Sequence, residues 1–71
     1  MRVKEVRQKN NLTQKQFADV ITENGHKCSC RTVQNIEGKR ANPSFDFMAA
    51  FLRAFPEYSI DEIFFTDEDL K

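Results

Sequence analysis

The sequence predicts an all-α chain, a compact bundle of five short helices around one small core. Three observations carry that expectation. Seventy-one residues can enclose one hydrophobic core and little more. Only two glycines and two prolines interrupt the chain, while aliphatic residues and seven phenylalanines recur at helical spacing. No long alternating run supports a sheet.

The first helix is expected over Arg2 to Asn10, with Val3, Val6, Arg7 and Asn10 inward and Lys4, Glu5, Gln8 and Lys9 toward water. Arg7 is the odd member of the inward set. A charge on that face needs a partner, and Glu37, on the inner side of the third helix, has the matching need. The spacing therefore predicts an Arg7–Glu37 ion pair; the alternative is two exposed charges with no mutual contact.

Asn11-Leu12 forms a turn, and Thr13-Gln14-Lys15-Gln16 reads as a capping box opening a second helix that runs to Glu23 or Asn24. Phe17, Ala18 and Ile21 make its apolar stripe, and Ala18 is small enough for another helix to cross closely. Gln14 and Lys15 lie at the positive end of its dipole, a suitable place to hold a phosphate. Gly25 is its expected stop.

Ser29 then caps a third helix. Val33, Ile36 and Glu37 share about one third of its circumference, and Arg31, Gln34, Asn35 and Gly38 lie opposite. A guanidinium and two carboxamides have paired donors and acceptors that fit guanine and adenine edges in a DNA major groove. The pattern points to a recognition helix, with an ordinary solvated face as the competing reading. Lys39 and Arg40 follow in an exposed basic loop.

Ser44 is expected to cap a fourth helix from Phe45 to Phe55, with Phe45, Met48, Ala49, Leu52 and Phe55 toward the core and Phe47 and Phe51 off that stripe. Pro56 ends it. Ser59-Ile60-Asp61-Glu62 opens a short fifth helix bearing Ile60, Ile63 and Phe64. Residues 1–65 form the domain, and residues 66–71 an acidic tail.

The formal net charge is zero, but its distribution is not even. Residues 1–40 carry nine Lys/Arg against four Asp/Glu, a balance of +5; residues 41–71 carry two against seven, a balance of −5. Such a molecule can turn a basic front toward phosphates. No apolar run is long enough for a membrane span, and the N-terminus does not look like a signal, so a cytoplasmic, nucleoid-associated protein is expected. Catalysis is not expected. One histidine, no glycine-rich phosphate loop and no paired inward carboxylates leave no mechanism to assign, and nothing points to a cofactor or a small-molecule effector.

The assembled pattern resembles the phage Cro and repressor type of helix-turn-helix domain, the XRE family, with its lambda-repressor-like fold. The residues that carry the resemblance are R-V-K-E-V-R at 2–7, L-T-Q-K-Q-F-A at 12–18, T-V-Q-N-I-E at 32–37, N-P-S at 42–44 and S-I-D-E-I-F at 59–64. The resemblance implies a double-stranded DNA operator as partner and base contacts from Cys30, Arg31, Gln34 and Asn35. It implies phosphate contacts from Gln14, Ser29, Lys39 and Arg40, beside the Lys15 already placed, and it makes Arg7 and Glu37 the buried inter-helix pair. Two departures stand out. The stretch from Ala18 to Thr32 is longer than usual, the excess falling in Thr22 to Cys28. Lys39 also stands where the family commonly has glycine.

A repressor acting as a homodimer is the leading expectation, because one recognition helix reads few base pairs and two half-sites about 34 Å apart call for a two-fold pair. Phe51 or Phe47 with Ile63, Phe64 and Phe65 form the expected dimer patch, on the reasoning that so small a bundle cannot bury every phenylalanine. Two alternatives stay open. One is an antirepressor-like protein-interaction module on the same fold. The other is a thiol- or metal-responsive regulator using His26, Cys28 and Cys30, whose two cysteines are too close in sequence for an easy internal disulfide.

Overall fold

A computed structural model of the protein describes residues 2–64. The helices are α1 (Val3–Lys9), α2 (Gln14–Glu23), α3 (Cys30–Glu37), α4 (Phe45–Ala54) and α5 (Ile60–Ile63), with no strand among the described residues. Phe65 and the acidic tail expected over 66–71 lie outside the described residues.

Side-chain caps start four of the five helices. Thr13 Oγ1 accepts from the Gln16 amide at 3.1 Å and Gln16 Oε1 accepts from the Thr13 amide at 2.9 Å, a complete capping box. Ser29, Ser44 and Ser59 each accept from the backbone N–H three residues on. α1 has no such cap; instead the Arg2 amide donates to Ile63 O at 2.8 Å, fastening the start of the bundle to its last helix. Asn11, just beyond α1, takes φ +57°, a left-handed turn that asparagine tolerates well.

The core is built around Phe17 of α2. Its ring lies 6.0 Å from those of both Phe51 and Phe55 and 6.4 Å from that of Phe47. Phe51 continues the cluster to Phe64 at 5.4 Å. Val3 and Val6 close it from α1, Ala18 and Ile21 from α2, Val33 and Ile36 from α3. At about 1.5–3 kcal/mol per large apolar side chain buried, these rings dominate the stability of the bundle.

Two expectations are corrected here. On α4 the buried stripe is Phe47, Ala50, Phe51 and Phe55, while Phe45 is 75% exposed and Met48, Ala49 and Leu52 are only partly covered. Phe45, Phe47, Met48, Phe51, Leu52 and Phe55 fit two helical stripes about one residue apart in phase. Periodicity cannot choose between them; contact with Phe17 does. The second correction follows from the first. Phe51, Ile63 and Phe64, expected as a dimer patch, are buried within their own chain. The domain can enclose five of its phenylalanines because they stack on one another from α2, α4 and the end of α5.

Candidate nucleic-acid interface

The third helix presents the face anticipated for it. Val33 and Ile36 are buried, Arg31 and Gln34 are exposed, and Asn35 and Cys30 are half-buried at the two borders. Gln34 Nε2 lies 3.6 Å from Cys30 Sγ, so the amide leans along the helix toward its N-terminus.

Behind that face stands a hydrogen-bonded buttress. Glu37 Oε2 accepts from Arg7 Nε at 2.7 Å and Glu37 Oε1 from Arg7 Nη2 at 3.1 Å, a two-point pair with side chains only 12% and 5% exposed. Arg7 Nη1 donates to Leu12 O at 2.9 Å. The Leu12 carbonyl belongs to the turn that leads into α2, so one guanidinium ties α1, that turn and α3 together.

Gln14 joins the same group, donating from Nε2 to Glu37 Oε1 at 3.2 Å. One amide proton is thereby committed within the fold, and the second is left for another acceptor. Lys15, next to it, is exposed. Ser29 Oγ accepts from the Thr32 amide and shares a hydrogen bond with Thr32 Oγ1 at 3.1 Å, so its hydroxyl serves first as a cap.

The loop after α3 is folded onto the helix end. Gly38, Lys39, Arg40 and Ala41 donate their amides to carbonyls of Gln34, Ile36 and Asn35, with Asn35 O receiving the last two. Gly38 has ordinary helical-side φ, and Lys39 is the residue at φ +60°. The left-handed position is thus occupied by Lys39, at a cost a glycine would not incur.

The connection from α2 to α3 was the least legible stretch. Thr22 Oγ1 accepts from the Cys28 amide at 3.0 Å and lies 3.0 Å from Cys28 O and 2.9 Å from Ala18 O. Arg53 Nε of α4 donates to Asn24 O at 2.8 Å and its guanidinium covers Gly25, whose φ is +105°. Neither Thr22 nor Arg53 carries a sequence signal for this role, since both lie on exposed helical positions.

Nor do His26, Cys28 and Cys30 gather as metal ligands would; no group of three His, Cys, Asp or Glu does so among the described residues. Cys28 is buried, its Sγ 3.6 Å from Ser29 O, and burial followed by the nearby Cys30 pushes its thiol pKa up. A thiol so placed is less reactive than a free one.

A short capped helix, exposing a guanidinium and amides and locked to the preceding helix by a turn, defines a helix-turn-helix protein. The family model described as helix-turn-helix matches residues 3–63, and the chain belongs to that Cro/repressor-type (XRE) family of DNA-binding regulators. No curated protein and no solved structure is significantly similar to it. Among the described residues no helix is long and apolar enough to cross a membrane.

Proposed function

We propose that this protein is a sequence-specific transcriptional repressor that binds a pseudo-palindromic operator as a homodimer in the cytoplasm. The observation that supports this most is the set formed by exposed Arg31 and Gln34 and half-buried Asn35 on a helix held by the Arg7–Glu37–Gln14 network. Rigid support matters because bidentate base contacts tolerate little displacement. Arg31, Gln34 and Asn35 read base edges, with Cys30 at the border of the same face. Gln14, Lys15, Ser29, Lys39 and Arg40 hold phosphates and set the register.

The homodimer rests on the size of the interface. A single eight-residue helix covers only a few base pairs, and two copies one helical turn of DNA apart give the length of site that a regulator needs. Of the residues expected at the dimer surface, Phe51, Ile63 and Phe64 are buried within their own chain.

Selection of duplexes from a random pool, followed by a salt titration with the mass of the complex measured in parallel, tests the reading. Enrichment of two related half-sites and a mass of two chains per duplex are expected. Absence of any enrichment, with binding equal for all sequences, would refute sequence-specific regulation.

A further inference from the structure

The connection between α2 and α3 is a held segment rather than a loose one. Thr22 clasps both backbone groups of Cys28, Arg53 holds Asn24 O, and the His26 amide donates to Ile21 O at 3.4 Å. The His26 ring meets Phe47 edge-on at 6.3 Å. Between the half-buried His26 and the buried Cys28, Lys27 points to solvent.

His26 also lines a cleft of about 230 Å³ together with Thr32, Asn35, Asn42, Ser44 and Phe47. Asn35 and Glu37 are two residues apart, about 200° around the helix, and Glu37 is the residue that meets Gln14 of α2. The cleft therefore flanks α3 on the side away from α2. A helix seated in a major groove about 12 Å wide has one phosphate strand on each side. The start of α2 faces one of them, and the cleft, with His26 of the connection in its wall, faces the other. The cleft offers an imidazole, two hydroxyls and two amides, and no carboxylate lines it; Asp46, in the first turn of α4, is not among its walls.

We infer that the connection is a second phosphate clamp, in which Lys27 and His26 hold the DNA strand across the groove from Gln14 and Lys15. The clamp rests on the DNA-binding reading above and adds to it a contact element from the connection between α2 and α3.

The test compares the full chain with Lys27→Gln, His26→Gln, Lys39→Ala as a positive control and, as a control on α1, Lys9→Gln, each titrated with salt against a short random-sequence duplex. Melting curves confirm that each variant is folded. Lys27→Gln should weaken binding roughly fivefold at low salt and lower the slope of log affinity against log salt by about one. His26→Gln should weaken binding by a smaller factor, and Lys9→Gln should keep the parent slope. A Lys27→Gln protein with the parent affinity and slope, while Lys39→Ala in the same series binds more weakly, would overturn the clamp alone. A parent chain that binds no duplex would overturn the DNA-binding reading and the clamp with it.

Discussion

Arg7 and Glu37, thirty positions apart, meet through two hydrogen bonds of 2.7 and 3.1 Å at the inner side of α3. The same carboxylate takes a third from Gln14. Shape, stability and the candidate interface share this point, because Glu37 is on the helix whose opposite face carries Arg31 and Asn35.

Breaking the pair should therefore be severe. Glu37→Gln leaves the Arg7 guanidinium without its counter-charge in a nearly dry site, and loss of one partner from a buried pair costs about 3–5 kcal/mol. A domain this small holds only on the order of 5 kcal/mol. The variant should melt far below the parent or be unfolded at room temperature by circular dichroism. The double change Arg7→Met with Glu37→Leu should recover much of the loss, since it removes both charges together. A Glu37→Gln protein with a parent-like melting curve would show that water screens the pair.

Lys39 should separate folding from binding. Its φ of +60° costs an L-residue about 1 kcal/mol that glycine does not incur. Lys39→Gly should raise the melting temperature while lowering duplex affinity and reducing the salt slope by about one. Lys39→Ala keeps the backbone cost and should lower affinity without the thermal gain. Thermal melts set beside salt titrations of both variants decide the matter; equal melting temperatures for the two would count against backbone strain at this position.

The pair and the caps were legible from the sequence because each is written in residue types at fixed spacing. Thr13 with Gln16, and Ser29, Ser44 and Ser59 before apolar runs, left few alternatives, and Arg7 on an otherwise apolar face called for an acid. The phase of α4 is not legible in the sequence, because its apolar residues fit two stripes almost equally and only contact with Phe17 selects Phe47 and Phe51. The burial of Phe51, Ile63 and Phe64 is illegible for the same reason: local spacing does not reveal how well rings from three helices stack. The connection after α2 was opaque because its anchors, Thr22 Oγ1 and the Arg53 guanidinium, reach groups that periodicity cannot bring together.

The two cysteines should differ in reactivity and in their effect on alkaline stability. Cys30 is half-buried at the start of α3, whereas Cys28 is 8% exposed with its pKa raised first by burial and then by Cys30. Alkylation followed by mass spectrometry should label Cys30 before Cys28. The folded state holds the Cys28 proton more tightly than the unfolded chain. Its contribution is therefore full below the unfolded thiol pKa of about 8.5 and falls as pH rises through the folded value. Cys28→Ser should show a flatter loss of stability between neutral and alkaline pH than the parent. Equal labelling rates would indicate that the Cys28 site opens readily.

The outward face of α3 is tested at Arg31 and Gln34, both of which are exposed. Neither supports the fold, so Arg31→Ala and Gln34→Ala should melt within about 0.5 kcal/mol of the parent. On a selected duplex Arg31→Ala should cost about 1–3 kcal/mol and relax preference at one base pair of each half-site. The pattern of loss matters more than its size. Loss of a phosphate contact weakens all sequences alike, whereas loss of a base contact weakens every duplex that keeps the contacted base pair and leaves those substituted at that pair little changed. Measuring Arg31→Ala against a set of singly substituted duplexes distinguishes the two, and a uniform loss across the set would move Arg31 from reading bases to holding the backbone.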